Sequence, residues 1–401
     1  MPANVASHVD IAMVDAMTQS LRVAMVAGET SGDLLSGLLL DGLHERWPQL
    51  HAMGIGGTAM QQRGFAAWYS SERLAVHGYS LEVLLRLRDI LAIRRQLRQR
   101  LLQERPSVFI GVDAPDFNLG LERDLRTAGI KTVHFVCPSI WAWRPERVHK
   151  IRASADHVLC LFPFEPQLLA QHGIAATYVG HPLAQQIPMY PDRAAARAAL
   201  DLALDRPVLA LLPGSRRSEV QYIGRPFLQA AALLLRQMPQ LQVVLPAVPA
   251  LFERLQALLQ ELGLANERRI RLLRGQSHAA LAACDCTLIA SGTATLEAAL
   301  YKRPMVIGYH MHPISWRLMR RKQLQPWVGL PNILCSDFVV PELLQEQGTP
   351  PALAEAVAQW LQPEAAPRVA QLQERFAQLH SLLLRDTGAL AAQAISELVH
   401  A

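Results

Sequence analysis

Short apolar runs that end in polar or glycine-bearing loops and lead into helical stretches recur along this chain. That recurrence limits the fold more than any other feature. Leu21–Ala27 (LRVAMVA) runs into Gly28-Glu29-Thr30-Ser31-Gly32-Asp33 and a helical stretch from Leu34 to Arg46. Val108–Val112 leads through Asp113-Ala114-Pro115-Asp116 into a helical stretch from Leu119 to Ala128, and Lys131–Val136 and Val158–Leu161 are further strands. A continuous apolar run bounded by turn residues marks a strand buried on both faces, and alternation of such strands with helices makes a doubly wound parallel sheet. Pro182, Pro188 and Pro191 interrupt the pattern between Gly180 and Arg193, which reads as a linker. The alternation then restarts with Val208–Leu212, Gln242–Leu245, Thr287–Ala290 and Val306–Tyr309. Two α/β halves of similar size are expected, with an Ala/Gln/Leu-rich helical tail from about residue 351.

The 401 residues suit two domains, and a hydrophobic share of 51% with 18% charged excludes a disordered chain. A net charge of +5 favours an anionic partner, whether nucleic acid, a phosphorylated substrate or an anionic membrane surface. Five cysteines without a CxxC pair argue against a disulfide framework or structural zinc and favour a reducing compartment. Residues 1–20 read as a loose extension: they lack a basic n-region and carry Asp10 and Asp15. No apolar run reaches the roughly 18 residues a membrane span needs, so any membrane contact is peripheral.

Residues 81–105 (LEVLLRLRDILAIRRQLRQRLLQER) place Leu84, Ile90, Leu91, Leu97 and Leu101 at helical spacing, with seven arginines against Glu82, Asp89 and Glu104. This basic amphipathic helix, with room for one break, has two readings. It is either a core-packed surface helix with solvated arginines or a helix lying on anionic lipid. Arg317, Arg320, Arg321 and Lys322 beside Trp316 carry the same two readings.

Several chemistries lack their motif. There is no GxxxxGK[ST], no GxGxxG, no HExxH and no pair of aspartates at i, i+2. Two loops remain that suit an anion. Pro213-Gly214-Ser215-Arg216-Arg217 follows a buried strand; glycine admits close approach, exposed N–H groups donate, and arginine binds phosphate in a bidentate way. Ser291-Gly292-Thr293-Ala294-Thr295-Leu296-Glu297 also follows a strand and opens a helix, whose N–H groups and dipole favour a diphosphate while Glu297 could accept ribose hydroxyls. For each the alternative is an ordinary strand-to-helix turn with capping side chains. Asp113, at the carboxyl end of a strand, is placed for a general base, and a turn role fits Asp116 better. Trp141 and Trp143 in Cys137-Pro138-Ser139-Ile140-Trp141-Ala142-Trp143-Arg144 are either core anchors or a ligand-contacting wall, and His181 reads as a hinge residue.

Together these loops resemble one family, lipid-A-disaccharide synthase, a metal-independent glycosyltransferase of the GT-B type. The runs that carry the resemblance are VAGETSGD (26–33), VFIGVDAPDFN (108–118), KTVHFVCPSIWAWR (131–144), GHPLA (180–184), LALLPGSRRSEV (209–220), ASGTATLEA (290–298), PMVIGY (304–309) and GLPNIL (329–334). Their order is specific although no single run is. The resemblance implies a GT-B α/β fold: two Rossmann-like doubly wound parallel-sheet domains facing a cleft, with C-terminal helices. Residues 21–185 would take the acceptor lipid and face the membrane, 186–370 would bind the UDP-sugar, and a tail over 371–401 would return to an N-terminal domain.

The resemblance further implies transfer of 2,3-diacylglucosamine from its UDP derivative to the 6-hydroxyl of 2,3-diacylglucosamine 1-phosphate (lipid X), with UDP as the second product. It implies no cofactor, no metal and no nucleic acid. It places the enzyme peripherally on the cytoplasmic face of the inner membrane of Gram-negative cells, with a homodimer by C-terminal exchange in some members. It assigns Asp113 as the base, or as an orienting group, and Arg216 as the neutraliser of the leaving diphosphate. Gly214, Ser215, Arg216, Ser291, Gly292, Thr293, Glu297 and Asn332 would hold UDP. Ser31, Asp33 and Trp141 are acceptor-side candidates, and Arg94, Arg95 and Arg98 are candidates for membrane contact. Two departures stand out: residues 1–20 precede the family's usual start, and Cys137 occupies a position where serine is expected. The alternatives are another GT-B UDP-GlcNAc transferase or epimerase, or a binding protein without chemistry.

Overall fold

The computed structural model describes residues 20–28, 30–70 and 81–401, without the side chains of Thr30 and residues 81–87. The expected N-terminal extension, apart from Ser20, lies outside the described residues. The chain divides into two compact units, residues 1–182 with 383–401, and residues 183–382.

The first unit holds seven strands: β1 (Arg22–Ala27), β2 (His51–Gly56), β3 (Ala66–Ser70), β4 (Val108–Val112), β5 (Lys131–Phe135), β6 (His157–Cys160) and β7 (Ala176–Tyr178). They form one sheet in the order β3-β2-β1-β4-β5-β6-β7, every pairing parallel. The central strands are buried along their length: β4 is buried at all five positions, because helices cover both faces. One face packs Leu39, Leu40 and Leu43 of the helix Thr30–Arg46, with Trp47 just after it, against Val23, Met25 and Ile110. The other packs Ile93, Leu97 and Leu101 of the helix Leu81–Glu104 against Ala24, Val26 and Phe109. That basic helix is unbroken, contrary to the allowance for a break. The helix after β4 spans Pro115–Thr127 and starts ahead of the expected Leu119, since proline is favoured in a helix's first turn.

The second unit holds β8 (Val208–Leu212), β9 (Gln242–Ala247), β10 (Ile270–Arg274), β11 (Cys286–Ala290), β12 (Met305–Tyr309) and β13 (Glu342–Leu344), in the order β10-β9-β8-β11-β12-β13 and all parallel. The helix Ala366–Leu383 belongs to this unit up to Leu382, so the expected tail from 371 is shorter. His380 explains why: it is buried, accepts from Lys302 Nζ at 2.6 Å and donates through Nε2 to the Ala184 carbonyl at 2.7 Å. Only the helix Thr387–His400 and the few residues before it return to the first unit. There Ala391, Ala392 and Ile395 join the core beside the helix Thr30–Arg46. The two helices touch at Gly42 and Gly388, where a side chain on Gly42 would overlap the Gly388 carbonyl.

Candidate active site

In open parallel sheets ligands bind beyond the carboxyl ends of the strands. In the first unit that edge presents Asp113, immediately after β4. Asp113 and Ala114 both adopt the left-handed conformation, with φ of 52° and 41°. That costs about 1–3 kcal/mol per non-glycine residue and is held by surrounding bonds. Asp113 N–H donates to the Phe135 carbonyl at 2.9 Å, and Asn118 Nδ2 donates to the Asp113 carbonyl at 2.8 Å. Behind this turn Asn118, Glu122 and His134 form a fully buried polar cluster, in which His134 Nδ1 meets Glu122 Oε1 at 2.7 Å. Burial pushes the Glu122 carboxyl up, against the opposing pull of His134. Gly111 is required above them, because a Cβ there would overlap Glu122. The backbone is thus clamped, while the half-buried Asp113 carboxylate has no protein partner among the described residues.

Two acceptor-side candidates turn inward instead. Asp33 is buried and accepts from the N–H groups of Gly57 (2.7 Å), Ala59 (2.9 Å) and Met60 (3.3 Å). Its carboxylate ties the helix Thr30–Arg46 to the turn after β2. Trp141 is buried too, donating from Nε1 to Glu165 at 3.0 Å and packing edge-on against Phe162 and Phe164. Ser31, on the first turn of its helix, is exposed. Of the three arginines expected to face a membrane, Arg95 is exposed, Arg98 pairs with Asp124 at 3.1 Å, and Arg94 is half-buried over Gly120.

In the second unit the two loops behave differently. After β8, Gly214 has φ of 109°, and a Cβ there would overlap Glu219. Glu219, in the first turn of the helix Arg217–Gln237, accepts from the N–H groups of Ser215 (2.9 Å) and Arg216 (3.1 Å). The backbone donors expected to cradle a diphosphate are therefore occupied by the protein's own carboxylate. What this loop offers is the Arg216 guanidinium, 77% exposed and held at 3.3 Å by the same Glu219 carboxylate. The loop after β11 is open. Gly292 has φ of 153°, its helix Thr293–Leu300 has no side-chain cap, and the N–H groups of Thr293 and Ala294 have no protein partner among the described residues.

Glu297, one turn into that helix, lies 3.5 Å from His278 Nε2, and His278 Nδ1 is 3.3 Å from the Tyr301 hydroxyl. Burial raises the Glu297 carboxyl, with His278 pulling the other way. Asn332 is fully buried with all its hydrogen-bonding positions used. Nδ2 donates to Val340 O (2.9 Å) and Glu342 Oε1 (2.8 Å), and Oδ1 accepts from Val339 N (2.9 Å) and Val340 N (3.0 Å). Glu342 in turn accepts from Val328 N and Gly329 N, both at 2.9 Å, and Ser291 Oγ donates to Val328 O at 3.1 Å. Asn332 therefore supports the Ser291 loop rather than offering a free group to a ligand. Glu219, His278 and Glu342 escaped the sequence reading. Only the Glu219 spacing, in the first turn after the loop, gave a capping signal.

Comparison with known proteins agrees with this architecture. The profile of a family described as lipid-A-disaccharide synthetase (LpxB) matches residues 23–395. Lipid-A-disaccharide synthase of Verminephrobacter eiseniae is 63% identical, covering 96% of this chain and 98% of that one. The Albidiferax ferrireducens protein of the same description is 61% identical over 96% and 100%, and that of Bordetella pertussis 52% over 94% and 98%. Among solved structures, Staphylococcus aureus MnaA with UDP superposes with a TM-score of 0.61 at 13% identity, covering 94% and 95% of the two chains. UDP-GlcNAc 2-epimerase of Neisseria meningitidis bound to UDP-GlcNAc superposes at 0.60 and 12%, covering 94% and 99%. At that identity the structural likeness speaks for the GT-B fold alone, whereas the full-length sequence matches identify the lineage: the chain belongs to the lipid-A-disaccharide synthetase (LpxB) family of glycosyltransferases.

Proposed function

We propose that the enzyme transfers 2,3-diacylglucosamine from its UDP derivative to the 6-hydroxyl of 2,3-diacylglucosamine 1-phosphate, with inversion at C1. The observation that carries this reading is the Asp113 carboxylate, without a partner among the described residues, on a strained and clamped turn at the carboxyl edge of its sheet. Such strain is kept where a group must be held for chemistry. Asp113 takes the proton from the acceptor O6 as O6 attacks C1 of the donor. The C1–O bond to the β-phosphate breaks, its electron pair stays on the departing UDP, and the new linkage is β(1→6). Arg216 neutralises the charge growing on the diphosphate, and the open N–H groups of Thr293 and Ala294 donate to it. Gly292 and Ser291 shape that loop, Asn332 supports it through Glu342, and Glu297 accepts from the ribose.

No helix among the described residues is long and apolar enough to cross a membrane. In our reading the enzyme works peripherally on the cytoplasmic face of the inner membrane, where the acylated substrates reside, and exposed Arg95 contributes to its attraction for anionic lipid. The test is turnover in neutral detergent micelles with EDTA, following disaccharide 1-phosphate and UDP by mass spectrometry. Asp113→Asn should lower kcat by about 10²–10⁴ while UDP affinity is unchanged. Full activity in Asp113→Asn would refute its role as base, and absence of product from folded wild-type protein would refute the substrates.

A further inference from the structure

Next to Asp113 the first unit has a cavity of about 400 Å³ between the helices Leu81–Glu104, Pro115–Thr127 and Arg147–Ser154. Its charged lining is Arg94, Arg123, Arg147 and Lys150, with His149, against the single carboxylate of Asp116. Two features show that the cluster is built rather than scattered. Arg94 lies so close to Gly120 that any Cβ there would overlap its guanidinium. Arg147 is held by Asp116 through bonds of 2.8 and 3.0 Å to the two carboxylate oxygens. Arg94 and Lys150 have no carboxylate within ion-pair distance among the described residues. Half-burying a guanidinium without a counter-charge is unfavourable unless an anion arrives from outside.

Position narrows the choice of anion. The helix beginning at Pro115 follows β4 directly, so it presents its N-terminus and positive dipole end at the carboxyl edge of the sheet. Pro115 and Asp116 line the cavity, and Pro115 is two residues from Asp113, within about 8 Å along the chain. Arg94 lies deeper, over Gly120 in the second turn of that helix, so the cavity runs from the turn that carries Asp113 to the guanidinium and leaves room for a sugar ring between a reacting hydroxyl at one end and a charged substituent at the other.

We propose that this cavity binds the phosphate of the acceptor sugar, with Arg94 as its principal ligand and Lys150 and Arg123 as supporting charges. The proposal rests on the phosphorylated acceptor in the reading above. A phosphomonoester accepts the fork of a guanidinium in a bidentate way, and a site built for it rejects the uncharged analogue, because the buried cation is then unpaired. The phosphate end of the acceptor thereby sets which hydroxyl faces Asp113.

The test compares two acceptors, 2,3-diacylglucosamine 1-phosphate and the same lipid without its phosphate, in neutral detergent micelles with full-length protein. Wild type should prefer the phosphorylated acceptor. Arg94→Gln should raise KM for that acceptor by about tenfold or more and collapse the preference, leaving KM for the donor and for the dephosphorylated acceptor unchanged. Arg94→Lys should restore part of the preference. Lys150→Gln, at an exposed position, should lower it in the same direction without a folding defect. An unchanged preference in both Gln variants overturns the proposal, as does a loss confined to sedimentation with phosphatidylglycerol vesicles. Wild-type enzyme that turns over neither acceptor would instead overturn the acceptor reading itself.

Discussion

Replacing Asp33 by asparagine separates a structural carboxylate from a substrate-binding one. In the native protein Oδ1 accepts from Gly57 and Met60 and Oδ2 from Ala59. An asparagine keeps only one of these oxygens. In either amide orientation an NH2 group faces a backbone N–H, so a buried donor loses its partner. Losing a charge-assisted bond and leaving a donor unpaired are each worth about 1–3 kcal/mol, and together about 2–4 kcal/mol after overlap between the two. The loss falls on the turn after β2 and on the helix Thr30–Arg46, both in the first unit. Hydrogen exchange read by mass spectrometry resolves it. Amides of residues 51–61 should exchange about thirty- to several-hundredfold faster in Asp33→Asn, while the strands of the second unit keep their protection. KM for the acceptor should change little in the folded fraction. Native protection with a large rise in acceptor KM would refute the reasoning and return Asp33 to the substrate.

Gly214→Ala should raise donor KM by about tenfold or more, because the residue needs φ of 109° and its Cβ would displace Glu219; unchanged donor kinetics would show that this loop is not part of the donor site. The aromatic cluster around Phe162 predicts opposing pH slopes in the first unit. Burial holds His181 down at about 4, so its contribution, about 3 kcal/mol, is present at neutral pH and lost as pH falls from about 6.5 to 4. Burial raises Glu165 to about 7, so its contribution is present below about 4.5 and lost as pH rises through 7. Urea midpoints across that range should climb more steeply with pH in Glu165→Gln than in wild type and less steeply in His181→Gln; superimposable profiles would contradict both assignments.

Most strands buried on both faces were legible because each is an unbroken apolar run, as in Val208–Leu212, buried at every position, whereas His51–Gly56, buried from Ala52 onward, went unread because Gly54 and Gly56 interrupt its apolar run. The sheet edges were not: Ala66–Ser70, Ile270–Arg274 and Glu342–Leu344 are half-exposed, and their mixed sequences carry no such signal. The loops at the strand ends were legible as a set, because glycine with polar residues after a buried strand is what an anion site requires. Their individual roles were not. Gly214-Ser215-Arg216 and Ser291-Gly292-Thr293 read alike, yet Glu219 occupies the backbone donors of the first and leaves its arginine exposed, whereas the second keeps its donors open.

The sequence by itself therefore determined the two parallel-sheet units, the family and the Asp113 turn, since all three rest on local pattern. Tertiary structure decided which polar groups remain free. Asp33 is satisfied by amides beyond the next strand, Asn332 by Glu342, and the Arg94 guanidinium settles over Gly120 of another helix. A hydrogen bond formed across the fold leaves no periodicity in the chain, yet it is what withdraws a side chain from the substrate or leaves it waiting for one.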